Sequence, residues 1–467
     1  MSKQLTATYA HPLTAKWAAP GGPWSTDTLD DALAGDDATE ARVASLAGGL
    51  RAVGVGRGDA VAWQLANGPG PVALFRACWR LGAVAVPVHH LAGPNDVESI
   101  ATRVRPTAFL GPGDSLPLGE PVPRGQGAAR PGDLAVALAT SGSTGTPKLA
   151  LHTHRALLHK ARLMAGVHRL GPDDCTLLAA PLAHISGLLN GVLLTACGMR
   201  SVPMARWDPG EALELIHRER VTFMIGPPAF FVSLVDHPSF DPEQVRSLRQ
   251  VSCGGAGVTP SFVRSTAEAL DCRVKRTYGS TEAPTVTTST LDDPPERAAT
   301  TDGQAVGHAE LRVVDGELWV RGPELFVGYD DPATTAAAFA DDGWFRTGDL
   351  ATLDDEGWLT IVGRMKDVII RGGENIAAAE LEAVLEAHAD VRQAAVVGVP
   401  DRRLGERVCA FVVARAPFDL AACRRWCEAQ GVTKFKWPER VEQLSELPLL
   451  PAGKPDRAAL RRLATSG

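Results

Sequence analysis

Between residues 38 and 280 the chain alternates apolar runs with segments of helical periodicity, and this alternation limits its fold more than any other feature. Helix-like stretches stand at 38–53, 72–81, 154–167, 187–197, 210–218, 229–235 and 260–270. Strand-like runs separate them at 59–65, 83–88, 133–139, 176–181, 200–204, 221–226, 250–253 and 273–278. Apolar strands joined through helices predict doubly wound parallel sheets, covered on both faces. Such sheets bind ligands beyond the carboxyl ends of their strands, so the loops that follow strands are where chemistry is expected.

The texture changes after residue 285. Short strands at 310–314, 317–320 and 359–362, divided by Gly and Asp turns, predict an antiparallel or barrel-like layer. Beyond Arg364 the pattern is a strand at 368–370, a helix at 377–388, strands at 391–399 and 408–414, and a helix at 420–429. A chain of 467 residues is too long for one ordinary domain. The fold class expected is α/β. A large N-terminal domain over 1–364 holds two doubly wound sheet subdomains and a small β-barrel-like one. A small α+β domain follows over 367–467, with the boundary near Lys366.

With 45% hydrophobic and 22% charged residues the composition is that of a globular protein with ample core. A formal charge of −7 argues against a nucleic-acid partner, although a local phosphate site needs no net positive charge. No apolar run has the length of a signal peptide core near the start, or of a membrane span anywhere, so a cytoplasmic protein is expected. The eight cysteines form no C-x-x-C pair and read as reduced core residues. Only nine of the 47 basic residues are lysine, yet Lys148, Lys366 and Lys454 all fall in motif-like segments. A point charge on a flexible stem differs from a planar guanidinium fork, which suggests a chemical reason for the choice.

The first of those segments is Thr140-Ser141-Gly142-Ser143-Thr144-Gly145-Thr146-Pro147-Lys148, directly after the apolar run 133–139. Glycines let backbone N–H groups turn toward an anion, hydroxyls add donors, and the lysine adds charge. No Gly-Lys-Ser/Thr tripeptide closes the run, so it is not a Walker A loop. A surface turn is the plainer reading; the strand in front and Pro-Lys behind favour a polyphosphate cradle. Tyr278-Gly279-Ser280-Thr281-Glu282 ends the strand at 273–278 and offers a face for a base, a phosphate donor and an oxygen ligand for Mg²⁺. Asp349, in Gly343-Trp-Phe-Arg-Thr-Gly-Asp349, can accept two ribose hydroxyls, with Arg364 as a second hold. Lys454 closes Leu449-Leu-Pro-Ala-Gly-Lys454 near the end. Alone, the motif 278–282 reads equally well as a polar turn, Asp349 and Arg364 are each more often surface ion-pair members, and a lysine so near the end is usually solvated.

Taken in order, with Pro181-Leu-Ala-His184, Gly254-Gly255-Ala256, Gly316-Glu-Leu-Trp-Val-Arg-Gly-Pro323, Arg371-Gly372-Gly373-Glu374-Asn-Ile376 and Gly398-Val-Pro-Asp401, they resemble the adenylate-forming superfamily. That group joins acyl- and aryl-CoA ligases, nonribosomal adenylation domains and luciferases, and the resemblance runs from about residue 40 to 462. It implies that 140–148 holds the ATP β- and γ-phosphates. Gly254, Gly255, Ala256, Tyr278 and Gly279 would frame the adenine, Thr281 would touch the α-phosphate, and Glu282 would bind Mg²⁺. Asp349 and Arg364 would hold the ribose. Lys454 would bridge the acid and the α-phosphate. Lys366 would be the hinge about which the small domain turns between two half-reactions, bringing Arg371, Gly372, Gly373 and Glu374 to line a pantetheine channel. The chain departs from the family at Ala139, where an aromatic is common, and in abbreviated segments at 106–130 and 303–317.

The acid is expected to be apolar. The run His184-Ile185-Ser-Gly-Leu-Leu-Asn-Gly-Val192 lacks the aspartate with which amino-acid-activating relatives pair an ammonium. Ile185 stands where ligases of 2-hydroxybenzoates usually carry asparagine. Candidate pocket residues are His184, Ile185, Phe230, Phe231, Gly257, Val258 and Ala283, with a core role for the two phenylalanines equally open. The activity expected is an ATP- and Mg²⁺-dependent acyl-CoA ligase for a fatty, alicyclic or aryl acid. A ligase that loads an acyl-carrier protein is the alternative, and an inactive nucleotide-binding homologue is a third reading that Lys454, Glu282 and Asp349 oppose.

Overall fold

The structure, a computed structural model, describes residues 5–466 apart from 8, 34, 128, 141–146, 256, 373 and 451–453, and it gives no side-chain placement for 375 and 466. Four sheets stack along the chain. The first has the order Ala108–Leu110, Ala60–Trp63, Val84–Pro87, Leu134–Thr140, Lys148–Thr153. Its first four strands are parallel, and Lys148–Thr153 returns antiparallel to Leu134–Thr140. This return strand differs from the expected direct passage from loop to helix. The pairing Thr140↔Lys148 makes the expected phosphate loop the tip of a hairpin.

The second sheet has seven strands. Five are parallel, in the order Arg273–Tyr278, Gln250–Cys253, Phe223–Gly226, Cys175–Leu178, Arg200–Pro203. Two short antiparallel strands, Thr287–Thr288 and Gln304–Ala305, extend its edge. Helices on the flanks begin where the sequence supplies caps. Thr153, Asp208 and Thr259 each accept a backbone N–H from the first turn of the helix that follows. Gly82, at φ +70°, ends the helix Pro69–Leu81 in the left-handed conformation that favours glycine. Between the two sheets lies the largest core, with Trp63, Phe75 and Trp79 all buried and in ring contact.

Of the two forms expected for the third layer, antiparallel or barrel-like, the described residues form an open four-stranded antiparallel sheet. Its order is Glu310–Val314, Glu317–Arg321, Phe345–Leu353, Leu359–Arg364. After a short 3₁₀ turn at Met365–Asp367 a five-stranded sheet begins, carrying the helices Ala378–Glu386, Leu420–Ala429 and Arg457–Ser466. Its core is separate from the others. Cysteines are free, and six of the eight are buried. Among the described residues no helix is long and apolar enough to cross a membrane.

One buried ion pair joins these layers near the glutamate motif. Lys160, on the helix His154–His168, reaches Glu324 at 3.2 Å, and both side chains are fully buried. The same ammonium donates to the carbonyl of Thr285 at 3.1 Å, a β-branched residue held at φ +40°. Burial pushes the Lys160 pKa down and Glu324 opposes the shift. A Lys160→Met substitution leaves Glu324 buried without its cation, and should lower the unfolding free energy of the N-terminal part by about 3 kcal/mol. Adding Glu324→Leu should restore most of that loss in urea unfolding. A double variant no more stable than the single one would show that the pair does not act as a unit.

Candidate active site

The motifs gather where parallel strands end. Register pairs Cys253 with Arg276, so Gly254 lies against Thr277, and a Cβ on Gly254 would stand 2.5 Å from the Thr277 carbonyl oxygen. Only glycine fits there. Beyond Tyr278 the chain folds tightly. Ser280 donates its N–H to the Ala283 carbonyl at 2.9 Å, and a Cβ on Gly279 would strike the Thr285 nitrogen at 2.2 Å. Thr281 is fixed through its carbonyl, 2.8 Å from Nε2 of the buried His152, and Glu282 accepts the Tyr329 hydroxyl at 2.8 Å on Oε1. The Lys148 ammonium sits over the Tyr329 ring, 5.2 Å from its centroid. The neck of the hairpin and the Glu282 turn therefore share one tyrosine. Ser141, Gly142, Ser143, Thr144 and Gly145, together with Ala256 and Gly373, lie outside the described residues.

Asp349 joins this turn to the third sheet. Its carboxylate accepts the Tyr278 hydroxyl at 2.7 Å and pairs with Arg364 at 2.9 Å, its partner directly across the strands. The Asp349 side chain is 8% exposed, so both contacts act in a poorly solvated setting. Burial first, and then Asp349, push the Tyr278 hydroxyl well above the ordinary tyrosine range.

Lys454 arrives from the C-terminal unit, on the loop between the strand Arg440–Gln443 and the helix Arg457–Ser466. Its carbonyl accepts the Leu450 N–H at 2.7 Å, and a Cβ on Gly255 would stand 3.9 Å from its Cε. Burial pushes its pKa down to about 8; Arg364 and Lys366 add to the shift, while Asp349 and Glu282 oppose it. Four expected site residues thus act on one ammonium. An exposed ion pair, Arg392 with Asp236, also crosses between the C-terminal unit and the second sheet.

His184 lies on the other side of Lys454. Its pKa falls to about 4, through burial and then through His89 and Lys454. His89 and His90 follow the first-sheet strand Val84–Pro87, with ring centroids 5.5 Å from His89 to His184 and 4.8 Å from His89 to His90. Gln64 fixes their turn by donating to the Ala92 carbonyl at 2.8 Å. Asn67 ties the sheets together, accepting the Leu182 N–H at 2.9 Å and donating to the Ala180 carbonyl at 3.0 Å. Phe230 stacks on Trp207 at 4.3 Å near the end of the strand Phe223–Gly226.

Phe231 is fully buried in the core of the second sheet, and Val258 belongs to that same core. Ala283 is fully buried beside Tyr329 and Val286, Ile185 packs on the edge of the largest core, and Gly257 is exposed. Arg371, Gly372 and Glu374 are not brought to Lys454. Arg371 donates to Glu439 at 2.7 Å, Gly372 donates to the Leu404 carbonyl at 2.7 Å, and Glu374 is exposed. Reading along the chain passes over His89, His90, Gln64, Asn67, Trp207 and Tyr329. The signal available for most of them is their place just beyond the carboxyl end of a strand.

Residues 37–127 and 116–330 match the family described as AMP-binding enzyme, and residues 380–454 match the AMP-binding enzyme C-terminal domain. A medium-chain fatty-acid–CoA ligase of Escherichia coli (strain K12) is 32% identical over 472 residues, covering 89% of this chain and 83% of that protein. An indoleacetate–CoA ligase of Aromatoleum aromaticum is 32% identical over 466 residues, covering 90% of this chain and 91% of that protein. Among solved structures, ATP-bound MatB from Rhodopseudomonas palustris is similar with a TM-score of 0.84 and 28% identity, covering 94% of this chain and 99% of that one.

The charges around Lys454 set a measurable titration. Its ammonium is charged below pH 8 and is lost as pH rises through that value. Competitive labelling with a small acylating reagent should therefore give Lys454 a reactivity midpoint near 8. Asp349→Asn removes an attraction and should move the midpoint lower; Arg364→Ala removes a repulsion and should move it higher. A midpoint indifferent to both changes would mean that Lys454 does not share a site with them in solution.

Proposed function

The chain belongs to the AMP-binding enzyme family, and within it we propose an ATP-dependent acid–thiol ligase that forms an acyl-CoA from an apolar carboxylic acid. The observation that carries this reading is Lys454. A lysine from the C-terminal unit stands among Glu282, Asp349, Arg364 and His184, each from a different segment of the N-terminal part. That arrangement suits the first half-reaction. A carboxylate oxygen of the acid attacks the α-phosphorus of ATP, and the bond to the bridging oxygen breaks. Pyrophosphate leaves with that electron pair.

Negative charge accumulates at the five-coordinate phosphorus, and the Lys454 ammonium is placed to stabilise it where water is scarce. Asp349 and Arg364 would hold the ribose, Gly254 and Tyr278 would border the adenine, and the hairpin 140–148 would take the β- and γ-phosphates with Lys148. The described residues contain no cluster of three or more metal-binding side chains. A lone Glu282 carboxylate beside a triphosphate nevertheless fits Mg²⁺, which binds through one or two carboxylates plus substrate oxygens. Bound there, the ion would neutralise phosphate charge.

In the second half-reaction the CoA sulfur attacks the acyl carbonyl of the acyl-adenylate, the acyl–phosphate bond breaks, and AMP departs. Lys454 then has no developing charge to meet. The segment 371–374 now pairs away from the site, so a turn of the small domain about Lys366 is needed to exchange the two. The domain limits 1–364 and 367–467 are proposed on that basis. Both relatives named above are CoA ligases, for a medium-chain fatty acid and for indoleacetate. They support CoA as acceptor and an apolar acid as substrate.

Pyrophosphate release dependent on ATP, with thioester formed from free CoA, tests the reading across fatty, alicyclic and aryl acids. Lys454→Ala should slow adenylation by about 10²–10³-fold, and should change thioester formation from preformed acyl-adenylate little. Lys366→Pro should do the reverse, because proline stiffens the backbone that must turn. Equal losses in both steps for both variants would defeat the two-conformation account. Thioester formed only on a carrier-protein arm would replace CoA as the acceptor.

A further inference from the structure

The acid end of the site contains a feature the ligase chemistry does not use. His90, His89 and His184 form a row of imidazoles with successive ring separations of 4.8 and 5.5 Å. The row runs toward Lys454, whose charge acts on His184. His89 and His90 follow a strand of the first sheet, and His184 follows a strand of the second, so the row crosses the junction of the two sheets. The Nε2 atom of each ring is buried and has no hydrogen-bond partner among the described residues. Seven histidines have a buried ring nitrogen without a partner among the described residues, and three of the seven stand together in this row, where a bound group could pair with them.

The protonation of the middle ring follows from its neighbours. The Leu91 N–H donates to His89 Nδ1 at 3.1 Å, so in the neutral ring the proton sits on Nε2. Burial, and then His90, push the His89 pKa down to about 4, which keeps the ring neutral at pH 7. His89 Nε2–H is thus a buried donor without an acceptor among the described residues. Gln64 holds the turn that carries it, through the Ala92 carbonyl at 2.8 Å, so the ring does not simply swing out to water.

We propose that the acid activated by this chain carries, beyond its reacting carboxylate, an uncharged oxygen that accepts a hydrogen bond from His89 Nε2. A ketone, ether or hydroxyl on an otherwise apolar skeleton meets that description. This deepens the ligase reading above and rests on it. A second carboxylate is disfavoured, because three neutral rings offer no counter-charge for a desolvated anion. At the His90 end the cation that acts on the row, Arg206, is exposed, and at the other end Lys454 is taken by the reacting carboxylate and the α-phosphate. A plain hydrocarbon chain is also disfavoured, since it would leave the donor unpaired in the complex. His89 therefore acts on the choice of acid and touches no reacting atom.

The test compares matched acids by kcat/KM for pyrophosphate release: 3-cyclohexylpropanoate against 3-(4-oxocyclohexyl)propanoate, and decanoate against its 4-, 5- and 6-oxo derivatives, with decanedioate as the dicarboxylate. The wild-type protein should favour the best oxo acid over its parent by roughly 10- to 100-fold. His89→Leu should collapse that ratio to about threefold or less, whereas His89→Gln, which keeps an N–H donor, should restore part of it. Melting curves of both variants establish that they are folded. Equal rates for oxo and parent acids, preference for decanedioate, or an oxo preference that survives His89→Leu would each overturn the proposal. Failure of every acid to release pyrophosphate would instead overturn the ligase reading itself.

Discussion

A single carboxylate, Asp349, connects three of the four layers. It stands on the third sheet, accepts the hydroxyl of Tyr278 from the end of the second, and faces the lysine that the C-terminal unit brings in. Little water reaches it, and its contacts with Arg364 and Tyr278 hold it in place. The arrangement accounts for the register of the third sheet near the site. Its strands place Asp349 directly opposite Arg364, and pairing becomes irregular just beyond, between Leu350 and Ala351. A slip of one residue would turn the carboxylate to the other face.

The same setting explains why the lysine comes from a separate unit. Drawing an ammonium out of water beside a guanidinium and a second lysine is unfavourable, and the fall of the Lys454 pKa to about 8 records that opposition. Among the described residues, Asp349 and Glu282 are the charges that compensate. The inter-unit pair Arg392–Asp236 is exposed on both sides and contributes ~0–1 kcal/mol at most. Nothing in this balance locks the small unit down firmly. A triphosphate would supply further negative charge beside Lys454, which fits the proposed turn of the small unit between half-reactions.

Most of the layered fold was legible because it follows from periodicity. Strands such as Gln250–Cys253 and Arg273–Tyr278 have the same limits in sequence and structure, since each ends at a glycine, Gly254 or Gly279. The return strand Lys148–Thr153 was not legible. Its pattern, Lys-Leu-Ala-Leu-His-Thr, merges into the helix that Thr153 caps, and only the pairing with Leu134–Thr140 separates the two. Two glycines of the expected nucleotide end were legible for a related reason. Glycines at 254 and 279 are dictated by close backbone approach, which leaves a mark in sequence. Arg371 was legible as a motif, but its present partner, Glu439, was not, because that pairing belongs to one arrangement of a unit expected to turn.

His89 and His90 were invisible for a different physical reason. Two histidines after an apolar strand look like a solvated loop until a second sheet, from residues almost a hundred positions later, closes over them. Their setting also separates two properties of the site. Asp349, Arg364 and Glu282, whose charges act on Lys454, stand on or just beyond strands of the second and third sheets. The row that meets the acid begins on the first sheet and touches the second only through His184. Changes at 89 or 90 can therefore alter which acid fits without moving Asp349, Arg364 or Glu282. His184 is the one ring that belongs to both sets, because it lies between His89 and the Lys454 charge. A substitution at His184 should slow adenylation of oxo and parent acids alike, whereas one at His89 should slow that of the oxo acids more than that of their apolar parents.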